Sequence, residues 1–345
     1  MSKRPTGDRH PDASSPQASV TEPPAACPPQ VPERLFRLVY TIRAFELRCI
    51  KLYRRGLIRG YFHPYLGEEA IAAGVCLALD DRDYLVSTHR GHGHCIARGA
   101  NLGRMMAELL GKETGYCGGR GGSMHIADFA RGNLGANGIV GGGIPIGVGA
   151  ALGARIRGED RVAAIFHSDG AANNGVFTES LNLAAIWDLS AIFVLENNQY
   201  AVTTPLESVS RDPNLYKRGL AYGVESWQID GNDALEVFRA GQRATALCRH
   251  GRGPVLIEAM TFRQMGHHVN DPGSYMPAEK VSHYRSRDPV DLAAGNVMRL
   301  AGATKDYLDG VKREVDAEIE AAVAYAVASA SPSIDAFIEA TRLYS

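Results

Sequence analysis

The sequence predicts an α/β fold: a parallel sheet with helices on both of its faces. Three observations carry this expectation. Apolar runs of strand length stand at residues 162–166, 191–195 and 254–261. Helical periodicity lies between them, as in 177–187, where Phe177, Leu181, Ala184 and Ala185 share one face. The first two runs end in polar segments, His167-Ser168-Asp169-Gly170 and Glu196-Asn197-Asn198. A strand, a helix and a second strand pair in parallel through a right-handed crossover. Both polar segments then fall at the carboxyl edge of one sheet, where open α/β sheets bind ligands.

Residues 1–32 are rich in Pro, Ser, Ala and Asp and have no periodic apolar face, so a disordered extension is expected there. It lacks the apolar centre of a secretory signal, and Asp8, Asp12, Glu22 and several prolines argue against a mitochondrial presequence. A single α/β domain with a helical tail is expected over 33–345. Its first helix spans 33–54, and Gly56 and Gly60 break the pattern. A second helix covers 67–79, and a short strand at 84–87 delivers His89 and Arg90. Residues 101–110 are helical. The stretch 111–149 is dense in glycine yet punctuated by Met124, His125, Ile126, Ile139, Val140, Ile144 and Pro145. Such a segment suits a loop wrapped around a flat ligand, because glycine allows close backbone approach. Residues 144–156 form a helix of small residues, suited equally to packing on another subunit and to packing on its own sheet. A strand near 227–230, a helix at 233–248 and the strand at 254–261 follow. A loop then runs from Phe262 to Gly273, and helices from about Asp306 close the chain.

Composition narrows the function classes. The 345 residues are 45% hydrophobic, enough for a substantial core. A net charge of −1 gives no basic field for nucleic acid. No apolar run approaches the ~20 residues that span a membrane. The six cysteines, at 27, 49, 76, 95, 117 and 248, have no metal-ligand or disulfide spacing. Reduced thiols and a cytoplasmic location are expected.

The two strand ends carry the chemistry. Asp169 offers a carboxylate and Asn198 an amide oxygen, both hard donors of the kind Mg²⁺ takes, with phosphate and water completing its shell. Gly170 permits close approach of a phosphate, and Asn173, Asn174 and the helix start at Gly175 add donors and a positive dipole end. Turn aspartates and asparagines are common. What singles these out is their position at two strand ends joined by one helix, with 26 residues (171–196) between Gly170 and Asn197. The reading is a diphosphate held through a metal. The glycine runs at 141–143 and 147–149 follow no strand and are weak evidence for a nicotinamide site.

The pattern resembles the thiamine-diphosphate motif, Gly-Asp-Gly answered by Asn-Asn, and the likeness extends over roughly residues 35–290. It is carried by Ser87-Thr88-His89-Arg90-Gly91-His92-Gly93-His94, by Gly119-Arg120-Gly121-Gly122-Ser123-Met124-His125, and by the segment from Gly135 to Pro145. Glu196-Asn197-Asn198-Gln199-Tyr200 and Gly266-His267 complete it. The chain resembles the α subunits of the thiamine-dependent 2-oxo acid dehydrogenases, and within them the acetoin dehydrogenase α subunit. The resemblance implies the thiamine-diphosphate-binding fold, thiamine diphosphate and Mg²⁺ as cofactors, and a β subunit in an α2β2 assembly. It also implies cleavage of acetoin or decarboxylation of a pyruvate-like 2-oxo acid, with transfer of the acyl unit to a lipoyl-bearing acyltransferase.

Residue by residue, the resemblance makes His63 and His267 the catalytic candidates. His89, Arg90, Gly138, Val140, Asp169, Gly170, Ala171, Asn198, Tyr200 and His267 become cofactor contacts. Asp169, the Asn198 side chain and the Tyr200 carbonyl become the protein's Mg²⁺ ligands. Arg90 suits a diphosphate because guanidinium pairs with phosphate through two bonds. Many relatives have tyrosine where this chain has His89. His92, His94 and His125 are expected to shape the site, and His10 and His250 to be surface residues. Glu68 and Glu69 either face the pocket or stabilise a helix N-terminus. The activating acid of the family belongs to the β subunit, so none is assigned here.

Three departures from the family pattern stand out. Ser168 replaces the first motif glycine, where its hydroxyl suits phosphate but its Cβ threatens the turn. His268 replaces a serine that is phosphorylated in animal pyruvate dehydrogenases, so regulation at that position is absent. Gln264-Met265 replaces the usual aromatic residue after Arg263, which implies an altered substrate mouth. Two alternatives remain at this stage. One is a two-component carboligase that transfers a two-carbon unit to a carbonyl acceptor; the other is a non-catalytic scaffold subunit.

Overall fold

The computed structural model describes Pro28 and residues 30–342, and within them five parallel strands form one sheet. In chain order these are β1 (Tyr84–Val86), β2 (Ala163–Ser168), β3 (Ala191–Asn197), β6 (Glu225–Asp230) and β7 (Val255–Met260). Their spatial order is β1-β2-β3-β7-β6. A two-stranded antiparallel hairpin, β4 (Tyr200–Ala201) with β5 (Thr204–Pro205), stands apart from the sheet. β2 and β3 are buried on both faces, as strands between two helical layers must be.

Side-chain alternation divides the core. Ala163, Ile165, Phe193 and Leu195 pack with α5 (Gly143–Ile156) and α7 (Gly175–Ile186) on one face. Ala164, Phe166, Ile192 and Val194 pack with α2 (Glu69–Ala78) and α9 (Ala234–Arg249) on the other. A third layer of helices covers α2: α1 (Gln30–Arg54), α4 (Leu102–Leu109), α11 (Pro289–Ala301) and α12 (Lys305–Ala328). Short helices α3 (His92–Ala97), α6 (Asp169–Ala172), α8 (Lys217–Leu220) and α10 (Ala278–Arg285) occupy connections, and α13 (Ile334–Arg342) follows α12.

The α/β architecture agrees with the expectation from sequence, and the strand-bearing segments match closely. Two differences have physical causes. α1 begins at Gln30, inside the segment expected to be disordered; residues 1–27 and 29 lie outside the described residues. α10 and α11 were not anticipated, although Asp288 caps α11 through its side chain and Pro289 opens it, a pair of start signals visible in the sequence. The described cysteines are free thiols; Cys49, Cys76, Cys95 and Cys248 are buried, and Cys117 is half-buried. No helix among the described residues is long and apolar enough to cross a membrane.

The small residues of α5 serve two faces. A Cβ on Gly147 would meet Ile165 Cγ1 at 2.4 Å, so this face packs on the chain's own sheet. Gly149 has open space around it and Ile146 is exposed, so the other face is uncovered. α2 and α9 approach just as closely: a Cβ on Gly74 would lie 2.6 Å from Val237 Cβ and 2.8 Å from the Phe238 nitrogen. A backbone neighbour cannot rotate away. Gly74→Ala should therefore destabilise the chain by about 1–3 kcal/mol through overpacking, despite the ~1 kcal/mol that alanine gains in helix propensity. Gly295→Ala, on the exposed face of α11 with nothing within 4 Å, should stabilise it by up to about 1 kcal/mol. Paired urea or thermal melts check both signs.

Candidate active site

β2 and β3 pair so that Ser168 stands opposite Glu196, which brings Asp169 and Asn198 to the same edge of the sheet. Ser168 has φ −88° and ψ 167°, extended backbone that any residue adopts, so its Cβ strains nothing. Its hydroxyl accepts the Ala171 N–H at 3.1 Å and caps α6. The serine that departs from the motif is thus an N-cap. Gly170 is required for a different reason: a Cβ there would lie 2.9 Å from the Ala201 Cβ of the hairpin.

Asp169 is almost wholly buried, and its Oδ1 has no hydrogen-bond partner. Burial pushes its carboxyl up to about 6, against the pull of the Gly170 N–H and Arg263. The Asn198 side chain is oriented by both its ends: Oδ1 accepts the Tyr200 N–H at 3.3 Å, and Nδ2 donates to Glu68 Oε1 at 3.3 Å. Gln199 (φ 72°) and Val202 (φ 54°) take left-handed backbone to turn the chain into the hairpin. The hairpin was not foreseen from sequence.

A cavity of about 150 Å³ opens beside these groups. His63, His89 and His267 line it together with Met124, Gly138, Val140, Ser168, Gly170, Asn198, Tyr200 and Val202. Ala171 lines a narrow recess next to it. Eight of the site residues expected from sequence therefore converge on one cavity; Ala171 lines the adjoining recess, and Asp169 and Arg90 line neither. His63 and His267 rings stand 4.8 Å apart, His63 and His89 4.9 Å, each pair edge to face. Burial, with Arg90 next, lowers all three imidazoles: His89 to about 3, His267 to about 4, and His63 furthest. They are neutral at physiological pH.

Arg90 is not among the cavity's lining residues. Its guanidinium donates to the Pro64 carbonyl at 2.5 Å and the His267 carbonyl at 3.0 Å, and its Nε faces Glu68 at 3.4 Å. It ties the segment of His63 to the loop of His267. Glu68 stands at the N-cap position of α2 and is not among the cavity's lining residues, but it contacts the site through Asn198 and Arg90. Burial raises its carboxyl despite the ion pair with Arg90. Glu69 turns away to Arg43 and to the Gly67 N–H.

Sequence reasoning passed over Arg263. This buried guanidinium donates to His267 Nδ1 at 3.1 Å, to the Val202 carbonyl at 2.7 Å and to the Tyr275 hydroxyl at 3.0 Å. Asp271 accepts the His267 N–H and the Tyr275 hydroxyl. An arginine three residues past a strand end, nine residues before Pro272, was the available signal. Gln264 and Met265 do not reach the cavity, which corrects the expectation of an altered mouth. The Gln264 N–H donates to the Leu66 carbonyl and its side-chain amide to Asp288, and Gln264 and Met265 line a groove on the outer side of the loop.

Two of the remaining histidines are structural. His92 is held between Glu46 at 2.8 Å and Ser123 at 2.9 Å, and His94 between Ser87 at 2.8 Å and Glu196 at 3.0 Å. The glycine-dense loop that carries Met124 is organised by one buried carboxylate. Glu108 on α4 accepts the N–H groups of Cys117 at 2.7 Å, Gly119 at 2.9 Å, Gly121 at 2.7 Å and Gly122 at 3.0 Å.

Residues 37–335 match the model of a family described as the dehydrogenase E1 component. The chain is 44% identical over 299 residues to the α subunit of the acetoin:2,6-dichlorophenolindophenol oxidoreductase of Bacillus subtilis, covering 86% of this chain and 89% of that one. Its counterpart in Cupriavidus necator is 42% identical, covering 86% and 90%. The human mitochondrial pyruvate dehydrogenase E1 α subunit, somatic form, is 37% identical over 304 residues, covering 88% and 77%.

The unpartnered Asp169 carboxylate yields a stability prediction. Its folded-state pKa is raised from 3.8 to about 6, so folding is penalised above pH 6 and the penalty fades toward pH 4. Two units correspond to about 3 kcal/mol at most. Asp169→Asn should stabilise the metal-free chain by up to that amount at pH 8 and by little near pH 4. Mg²⁺ should raise the melting temperature of the parent chain and leave that of the variant unchanged. Melts from pH 4.5 to 8, with and without Mg²⁺, test both arms.

Proposed function

The chain belongs to the dehydrogenase E1 component family, and from that premise we propose that it is the α subunit of a thiamine-diphosphate- and Mg²⁺-dependent oxidoreductase. Its donor is acetoin or a pyruvate-like 2-oxo acid, and its product is an acyl unit passed to a lipoyl-bearing acyltransferase. A cytoplasmic location belongs to the same proposal. The observation that carries it is the buried, unpartnered Asp169 Oδ1, between two residues, Ser168 and Gly170, that line a cavity with Asn198, Tyr200 and three neutral histidines.

The residues present fit the cofactor. Asp169 Oδ1, the Asn198 side-chain oxygen and the Tyr200 carbonyl are hard oxygen donors at one sheet edge, the set Mg²⁺ takes when phosphate supplies the rest. The Gly170 and Ala171 backbone, together with His89, would receive the diphosphate, and the backbone of Gly138 and Val140 the aminopyrimidine. Bound there, thiamine diphosphate supplies a carbon acid that adds to a carbonyl and a ring that accepts its electron pair.

The chain's own work is to hold protons and exclude water. Arg263 donates to His267 Nδ1, so the single proton of the neutral ring sits on Nε2. His267 is thereby a donor to a developing oxyanion. His63 has an unpartnered Nδ1 and stands edge to face with both other rings, where it relays a proton to or from the same atom. Exposed Val140 and Val202 at the cavity, with exposed Ile139 at the adjoining recess, suit cover by a β subunit in an α2β2 assembly.

Product analysis of the chain with its copurifying partner, Mg²⁺ and thiamine diphosphate tests this reading. Acetoin, pyruvate and branched 2-oxo acids are each offered with a lipoyl acceptor and then with acetaldehyde. Acyl-lipoamide from acetoin or pyruvate is expected, and His267→Ala should lower kcat by roughly 10²–10⁴-fold. Carbon–carbon bond formation without lipoamide acylation would make the chain a carboligase subunit instead. A chain that binds no thiamine diphosphate would be a scaffold.

A further inference from the structure

The three cavity histidines form a group that the proposed chemistry does not use as a unit. One nitrogen of each of His63, His89 and His267 lies within 4.8 Å of the others. His63 Nδ1 is buried without a partner, and His89 makes no hydrogen bond among the described residues. Both rings are held in place by edge-to-face contact, with His89 and His267 5.6 Å apart. All three stay neutral at physiological pH, so their lone pairs are free of protons.

We propose that His63, His89 and His267 form a second metal site, selective for a borderline divalent transition cation of the zinc type, whose occupation closes the cavity to substrate. Three imidazoles with one open position are a set that zinc favours, whereas Mg²⁺ demands oxygen. A tetrahedral ion with bonds of about 2.0–2.1 Å needs donors roughly 3.4 Å apart, so the rings close by roughly 1.5 Å at most. Two guanidiniums oppose the ion. Arg90 is offset by Glu68 at 3.4 Å, but Arg263 donates to His267 Nδ1 and must release it. His267 is therefore the weakest of the three ligands, and the site depends chiefly on His63 and His89. A chain with tyrosine at position 89 would lack it.

Binding does not depend on the proposed activity; only its inhibitory effect does. Co²⁺ is the probe, added to the untagged full-length chain with any copurifying partner, free of cofactor and in excess Mg²⁺. One Co²⁺ per chain is expected, with visible d–d bands of four-coordinate geometry and no thiolate charge-transfer band. His89→Tyr and His63→Asn should each weaken it by more than the roughly 100-fold that loss of an outer-shell partner can cost. Unchanged affinity in whichever of these variants keeps the parent melting temperature overturns the proposal. So does displacement by Mg²⁺ or a thiolate band. In the holoenzyme, Zn²⁺ should inhibit reversibly, and His89→Tyr should need at least tenfold more of it; equal sensitivity would also overturn the proposal. If the parent turns over no donor, the functional reading fails and the Co²⁺ titration still decides the site.

Discussion

Ser168 faces Glu196 because β2 and β3 pair in parallel along six residues, each fixed by burial on both faces. A slip of β2 by one residue would exchange its faces, driving Ile165 toward α9 and Phe166 toward α5. Both side chains are fully buried where they stand, in close-packed layers that such an exchange would disrupt. Register is therefore set by the whole core, and the functional edge inherits it. Asp169 and Asn198 have no contact that would align them with each other; they stand side by side because the strands behind them are locked.

On that edge the dominant feature is charge held without water. Arg90 and Arg263 are both buried and neither has a simple salt-bridge partner of its own: Arg90 shares Glu68 with Asn198, and Arg263 works through carbonyls, an imidazole and a tyrosine. Burial, reinforced by the field of Arg90, keeps three imidazoles neutral while Asp169 stays short of partners. An anionic ligand and a cation would relieve both conditions at once. The protein thus carries an electrostatic need at the site that its own side chains do not meet, a pattern that belongs to binding sites more than to stable cores.

Much of this was legible in the sequence, for identifiable reasons. Strands buried on both faces leave uninterrupted apolar runs, so β2, β3 and β7 could be found and their polar ends ranked as the site. The histidines of the cavity were legible through the resemblance rather than through spacing, since His63, His89 and His267 lie far apart in the chain. What escaped was what depends on neighbours in space. The role of Ser168 as a cap required the backbone angle. Gln264 looked like part of the mouth because it stands where the family usually has an aromatic residue, but its side chain bonds Asp288, which no local pattern reveals. Arg263 escaped because a lone arginine near a strand end is usually a surface group; here, three acceptors brought from Val202, His267 and Tyr275 make its burial tolerable.

Glu108 shows where the shape of a glycine-rich segment is stored. Four backbone N–H groups from residues 117–122 converge on its two oxygens, so the curve of that loop is written into a single side chain on a helix some ten residues upstream. The glycines permit the path, and the carboxylate selects it. The loop has no side chain among these contacts and so no means of reporting its own conformation to evolution or to an engineer. Transplanted alone into a related chain it would be a flexible tether, and it would become a wall of the cavity only where its acidic template travelled with it.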